Sequence, residues 1–278
     1  MSIKKKKNSK LLNRFLVTGS NGMIGSQIPW GIKSTRKDFD LRDFKSVSSF
    51  LKKKKPAGIL HLAGLDIRSC KNDLISAFQV NVLALKPLIE YCRKNKKPLI
   101  FVSSGAVFYG SKEKVFYETD TLNPVNIYGL TKQLAEEFIS VSLKNFAIIR
   151  TGWVFGGNAA HQKKFVEMVI EAARGNGKIQ ASTDQWGSPT YVLDLISAIE
   201  QVIQRKLKGT IHIANSGKAT AFDIAQAIKT DLGSSLDIQT FEALGNSELK
   251  RSPSEVLGTK RLKLRSWQEA LKDYLRKS

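Results

Sequence analysis

RFLVTGSNGMIG, residues 14–25, decides how this chain is read. Arg14–Thr18 is short, apolar and β-branched, the pattern of a strand buried on both faces. GSNGMIG follows without a gap, with Gly19, Gly22 and Gly25 three residues apart. Small residues at that spacing let the backbone approach a pyrophosphate, and the free N–H groups of a following helix point at its negative charge. The spacing differs from GxGxxG but serves the same physics. Asn21, Met23 and Ile24 lie between the glycines and complete the wall of such a site.

Outward from this loop the chain alternates strand and helix. Residues 28–43, IPWGIKSTRKDFDLRD, are expected to hold a cramped first helix broken at Pro29 and a short second strand near Ile32 to Thr35. AGILHLAG (57–64) reads as a buried strand and its loop, DLISAFQVNVLALKPLIEYCRKN (73–95) as an amphipathic helix, and PLIFVSSGAVFYG (98–110) as a strand with its exit loop. The helix NPVNIYGLTKQLAEE (123–137) and the strand FAIIRTGWVFGG (146–157) complete the run. Strands separated by helices imply right-handed crossovers and a parallel sheet, with ligands at the strand carboxyl ends. The fold class is α/β, a Rossmann-type doubly wound parallel sheet. After Gly157 the pattern loosens. FVEMVIEAARGNG, PTYVLDLISAIEQVIQRK, AFDIAQAIKTDLG and SWQEALKDYLRK read as helices and TIHIA as a strand, with no repeat or linker between them. The organisation expected is a basic mobile tail over 1–12, a dinucleotide-binding domain over 13–157 and an interwoven, smaller substrate-binding region over 158–278. Some segments of that region, about 185–215, should return to the first domain.

Composition narrows the function. The 278 residues are 42% hydrophobic, enough for a sizeable core. No run of 18 apolar residues and no secretory pattern is present, so neither a membrane span nor export is expected. Cys70 and Cys92 are too few for a disulfide framework, and a cytoplasmic location is the default. His61, His161 and His212 are scattered, so no metal site is expected. The formal charge is +21, partly in the blocks Lys4–Lys7 and Lys52–Lys55. Without a nucleic-acid-binding motif or interleaved aromatics, these blocks read as solvated charge that favours phosphorylated ligands rather than nucleic acid. The first precedes the opening strand; the second reads as a helix end, where cations suit the dipole.

The chemistry centres on Tyr128 and Lys132, one helical turn apart and on one face. An ammonium beside a phenol is expected to lower its pKa towards the working pH. Ser104, at the end of a strand and 24 residues before Tyr128, can present its hydroxyl beside the phenol and hold a carbonyl oxygen while Tyr128 delivers the proton.

Together, VTGSNGMIG, HLAG, SSGAVFYG, YETDTLNPVNIYGLTK and RTGWVFG resemble an extended short-chain dehydrogenase/reductase. IIRTGWVFG, DQWGSPTYVLDL, GTIHIANSGKATAFDIAQAI and RSPSEVLGTKRLK are similar, in order, to later motifs of the dTDP-4-dehydrorhamnose reductase-like subfamily, from about Arg14 to Leu275. The resemblance implies a nicotinamide enzyme that reduces the C4 ketone of a nucleotide-linked 6-deoxysugar, acting as a monomer or homodimer. It places Ser104, Tyr128 and Lys132 in a catalytic triad, Lys132 also holding the nicotinamide ribose. Trp153 matches a sugar-contacting tryptophan; Asp184, Gln185, Pro189 and Thr190 match the DQxGxPT segment that shapes the site. Asp40, with Leu41, falls where the adenine is contacted, and Leu62, Ala63 and Gly64 should line the cofactor. Asn81 is read either as the anchor of a water for proton relay or as a satisfied core asparagine.

Three departures bear on substrate and cofactor. The subfamily usually reads S-T-D-Y-V-F where this chain has Ser103, Ser104, Gly105, Ala106, Val107 and Phe108, so a carboxylate and a phenol near the sugar are missing. Pro29 arrives four residues after Gly25, altering the wall of the adenosine half. Arg251 is followed by serine rather than the usual proline and is kept as a diphosphate contact. At the end of the second strand an acidic residue would bind a ribose 2′-OH; Arg36 and Lys37 stand there instead, favouring NADP(H), with NAD(H) possible. The rival readings are an NDP-sugar 4-epimerase that retains NAD and a non-catalytic NADP-binding regulatory subunit, like the β subunit of methionine adenosyltransferase. A 4,6-dehydratase lacks its carboxylate pair at Gly105 and Ala106. An epimerase-reductase of the GDP-fucose type would need a cysteine and a histidine near the sugar, for which only His161 is suitably placed.

Overall fold

A computed structural model describes residues 10–157, 164–244 and 249–277. Lys4–Lys7 and His161 lie outside the described residues. Lys10 to Leu12 form a helical turn with Leu12 buried. This corrects the expected tail, whose last part is packed because Leu12 joins the apolar cluster under the sheet.

Six parallel strands form the central sheet: β1 (Phe15–Thr18), β2 (Ile32–Ser34), β3 (Gly58–His61), β4 (Leu99–Ser104), β6 (Phe146–Thr151) and β10 (Gly209–His212), in the order β10-β6-β4-β3-β1-β2. The pleat sends alternate side chains to opposite faces. Leu16, Ile59, Leu99, Phe101 and Ile148 meet α1 (Phe44–Lys54), α4 (Leu85–Asn95) and α5 (Ile127–Ser142). Their neighbours Val17, Leu60, Ile100, Val102, Ile149 and Ile211 meet α7 (Val192–Gln204). Burial on both faces explains the near-continuous apolar strands.

Crossovers explain the rest. The 73–95 stretch is helical but divided: α2 (Ile67–Asn72) precedes it, and α3 (Leu74–Phe78) passes through a π turn (Gln79–Leu83) into α4. Past Gly157, α6 (Phe165–Arg174), β8 (Lys178–Ser182), α8 (Ala221–Leu232) and β11 (Asp237–Phe241) make a smaller layer, with β8 and β11 pairing in parallel. Two-residue strands stitch it to the sheet's carboxyl edge: β7 (Val154–Phe155) to β9 (Thr190–Tyr191), and β5 (Val115–Phe116) to β12 (Val256–Leu257). The cluster under the sheet runs without a break into α6, α8 and α9 (Trp267–Leu275).

The expected first helix is the main correction. Between β1 and β2 there is only a 3-10 turn, Gly25–Gln27, leading into the extended residues Ile28 and Pro29. Pro29 lacks an N–H and disfavours the helical region for Ile28, so the turn stops before a second one can form. Trp30 is buried there, its indole N–H donating to Glu200 of α7 at 2.6 Å.

Candidate active site

All six sheet strands end at one edge, and three of their exits build a cavity of about 430 Å³. Its walls include Gly19, Asn21, Gly22, Met23, Ile24 and Gly25 after β1, Leu62 and Gly64 after β3, and Tyr128 and Lys132 of α5. Gly19 has φ +68°, and a Cβ there would lie 2.8 Å from the Ala63 backbone. A Cβ on Gly25 would lie 2.3 Å from the Gly19 carbonyl oxygen, so the tight loop requires glycine at both positions. Thr18 Oγ1 accepts from the N–H groups of Leu62 and Ala63 and donates to His61 Nδ1 at 2.7 Å, tying the two loops together. Burial, and then the charge on Lys132, holds His61 down at about 3, neutral.

With no second helical turn, Gly25 O accepts one long backbone bond, from Ile28 N–H at 3.4 Å, and it and Ile28 O leave room for further donors. Lys33 of β2 supplies them: its ammonium donates to Gly25 O at 3.1 Å and also to Ile28 O. Sequence reasoning missed this lysine, one of many. Arg36, Lys37, Asp40 and Leu41 lie beyond the end of β2 and are not among the cavity's lining residues. Asp40 is gripped by Arg42 at 2.6 Å, which holds its carboxyl at about 2, and Leu41 packs on the apolar cluster beneath α1.

Tyr128 and Lys132 occupy the first turns of α5, whose N-cap, Asn126, accepts from Gly129 N–H. A Cβ on Gly129 would lie 2.2 Å from Ala106 O, so glycine after the tyrosine lets this helix end press against the residues following Ser104. Deeper in α5, Glu136 accepts from Ser103 Oγ and pairs with Arg150 of β6 at 2.7 Å, fixing the helix against the sheet. The Lys132 ammonium stands 5.7 Å from the Tyr128 ring centroid and donates to Val102 O at 3.0 Å.

The electrostatics correct the expected tuning. Burial pushes the Tyr128 phenol up to about 12; the Ser104 hydroxyl beside it favours the phenolate, while Glu255, Cys70 and Asp66 oppose it. Burial also brings Lys132 down to about 8, against the pull of Glu136 and Cys70. In this arrangement Tyr128 carries its proton throughout the neutral range. Asn81, on the π turn, accepts from Leu65 N–H at 2.7 Å and donates to Thr131 Oγ1 at 3.0 Å, clamping the loop after β3 to α5. Both ends of the amide are hydrogen-bonded within the fold.

Trp153 lies over Gly187, where a Cβ would meet the indole at 2.3 Å; the glycine of DQWGSPT makes room for the ring. Thr190 N–H donates to Trp153 O at 2.9 Å. Asp184 instead accepts from the N–H groups of Ala243 and Leu244 at 2.9 and 2.7 Å, fastening that segment. Gln185, Gly105 and Ala106 are buried and Arg251 is half-buried. Glu255, which the sequence reading passed over, is buried with its charge felt at Tyr128.

A parallel sheet with a glycine cradle at its carboxyl edge and a tyrosine and lysine one turn apart beside it defines an NAD(P)-dependent oxidoreductase of the extended short-chain dehydrogenase/reductase type. The sequence profile of the RmlD substrate binding domain family matches residues 13–278, and the chain belongs to that family. It is 30% identical to the spore coat polysaccharide biosynthesis protein SpsK of Bacillus subtilis, over 95% of this chain and 97% of the other. It is 29% identical to the dTDP-4-dehydrorhamnose reductase of Mycolicibacterium smegmatis, over 95% and 85%. The structure of dTDP-4-dehydrorhamnose reductase from Bacillus anthracis in complex with NADP superposes with a TM-score of 0.88 at 23% identity, covering 95% of this chain and 99% of that one.

Proposed function

We propose that this protein reduces the C4 ketone of a nucleotide-linked 4-keto-6-deoxysugar with NADP(H), using Ser104, Tyr128 and Lys132. The observation that carries the reading is the placement of Tyr128 and Lys132 on the wall of the cavity cradled by Gly19, Gly22 and Gly25, with Ser104 beside the phenol.

The cradle fits a dinucleotide, since its backbone approaches more closely than any Cβ would permit. Gly19 to Gly25 would hold the diphosphate and Leu62, Gly64 and Lys132 the nicotinamide half, while Arg36 and Lys37 supply the positive charge that a 2′-phosphate prefers. Once bound, the reduced nicotinamide supplies a hydride to the ketone carbon. Tyr128 is protonated at neutral pH, and its phenol at about 12 is acidic enough to protonate an alkoxide as it forms. Ser104 steadies that oxygen, and the Lys132 ammonium offsets the negative charge the proton leaves on Tyr128. Trp153, Gln185 and Arg251 belong to the sugar-nucleotide side of the cleft, with Gly105 and Ala106 beneath it. Residues 13–157 would carry the cofactor and most of 158–278 the sugar nucleotide, with the α7–β10 stretch returning to the sheet.

The test is NADPH oxidation against a panel of nucleotide-linked 4-ketosugars, with NADH in parallel. Tyr128→Phe is expected to lower kcat by a factor of about 10²–10⁴ with NADPH affinity retained. Near-normal turnover by that variant refutes the role of Tyr128. Tightly retained NAD without net NADPH consumption would instead identify a 4-epimerase.

A further inference from the structure

Gly105 and Ala106 leave the floor of the sugar site without polar side chains, yet the space above Gly105 is taken. A Cβ built on Gly105 would lie 3.0 Å from Glu255 O and 3.5 Å from Glu255 Cβ. The occupant comes from a distant part of the chain. Glu255 precedes β12, and its N–H donates to Trp186 O at 2.9 Å, which locks the residue against the DQWGSPT segment. Its exposure is 8%.

The surroundings of this carboxyl are those of a ligand site. Burial pushes the Glu255 carboxyl up from its ordinary value, Arg251 and then the Trp153 indole N–H pull against it, and its charge is felt at the Tyr128 phenol. The buried Trp153 Nε1 thus faces this carboxyl without closing a hydrogen bond of normal geometry to it or to any other group among the described residues. A buried donor without a partner is costly, and a buried carboxyl is costlier. One hydroxyl group placed between them would satisfy both, accepting from the indole and donating to the carboxylate.

We infer that Glu255 is a substrate-binding, specificity-determining residue that, with Trp153, hydrogen-bonds a sugar hydroxyl on a carbon adjacent to the one reduced at Tyr128. This rests on the reading of the site as that of a sugar-nucleotide reductase. The carboxylate missing at Gly105 is thus supplied from the opposite wall by a residue about 150 positions later. The ligand class is a nucleotide-linked ketosugar that keeps a free hydroxyl beside its carbonyl. An analogue deoxygenated there would leave the indole N–H and the carboxylate both unpaired, and sites built to bond a hydroxyl reject such analogues strongly.

The experiment compares the wild type with Glu255→Gln and Glu255→Ala on a hydroxylated dTDP-4-ketosugar and on its deoxy analogue at the neighbouring carbon, following NADPH oxidation. The wild type should prefer the hydroxylated substrate by about 100-fold or more in kcat/KM. Glu255→Ala should lower kcat/KM at least 30-fold on the hydroxylated substrate, much less on the analogue, and leave the Kd for NADPH within two-fold. Glu255→Gln keeps the side-chain volume and guards against misfolding; thermal unfolding of each variant is recorded alongside. Variants that keep the kcat/KM and the preference of the wild type within three-fold overturn the role of Glu255 and leave the reductase reading standing. A wild type that reduces no 4-ketosugar overturns both.

Discussion

Removing the buried Lys132 should make the cofactor-free protein more stable. The Lys132 ammonium is buried on α5 and, among the described residues, donates to Val102 O and to no carboxylate. Burial lowers its pKa from 10.5 to about 8. A pKa unit corresponds to about 1.4 kcal/mol, so holding this charge at pH 7 costs the fold about 3 kcal/mol. Lys132→Met keeps the length of the side chain without the charge. It also strands the Val102 carbonyl, which costs about 1–2 kcal/mol. The net expectation is a gain of about 1–2 kcal/mol, or roughly 2–8 °C in Tm, together with loss of turnover. The pH dependence has a defined sign. Below about 8 both folded and unfolded states hold the proton, and the full penalty is present. Between about 8 and 10.5 only the unfolded state holds it, so the wild type gains stability as the pH rises and the advantage of the variant fades. Thermal unfolding of both proteins from pH 6 to 10.5, without cofactor, measures this directly. A lower Tm for Lys132→Met at pH 7, or a difference that does not change with pH, refutes the reasoning.

Three further outcomes follow from the site. Lys33→Met removes the donor that serves Gly25 O and Ile28 O and should raise the Kd for NADPH about 3- to 10-fold, with kcat at saturation little changed and Lys33→Arg largely restoring affinity. Gly25→Ala places a Cβ where 2.3 Å separates it from Gly19 O, so NADPH binding measured by fluorescence should weaken at least ten-fold. Glu136→Ala leaves the Arg150 guanidinium buried without its carboxylate; denaturant unfolding should show a loss of about 3–5 kcal/mol, much of it recovered by adding Arg150→Met.

The fold was legible because its signals are local. RFLVT, GILH and FAIIRT are short buried runs set between helical stretches, and that alternation alone implies the parallel sheet. Tyr128 and Lys132 were legible for the same reason, since one helical turn brings them together whatever surrounds them. The missing first helix was visible only as crowding around Pro29, because a propensity reading does not say which carbonyls a lysine on the next strand will reach. KIQAS and DIQTF were passed over as strands: they pair with each other on a largely exposed edge, and each carries only two apolar residues, too short a pattern to stand out from the loops around it. Asp184 was read as part of the sugar site through its motif, whereas its two oxygens hold Ala243 and Leu244, a contact about 60 residues away in sequence. Glu255 escaped notice on the same grounds. Nothing in RSPSEVLG says that the chain will return to the space above Gly105. The raised phenol of Tyr128 likewise depends on burial, which no spacing reveals.

The short β1–β2 crossover has a practical consequence for observing the molecule at work. Of the four tryptophans, Trp30 is packed behind the glycine cradle with its indole held by Glu200, and Trp153 faces Glu255 on the other half of the cleft. In the proposed function the dinucleotide side and the sugar side of the site would each have an indole nearby. Indole emission overlaps the absorption of a reduced nicotinamide, so single-tryptophan variants would report the arrival of dinucleotide and sugar separately, by energy transfer at Trp30 and by change of polarity at Trp153. The order in which the two ligands bind becomes readable in a stopped-flow trace without any added label.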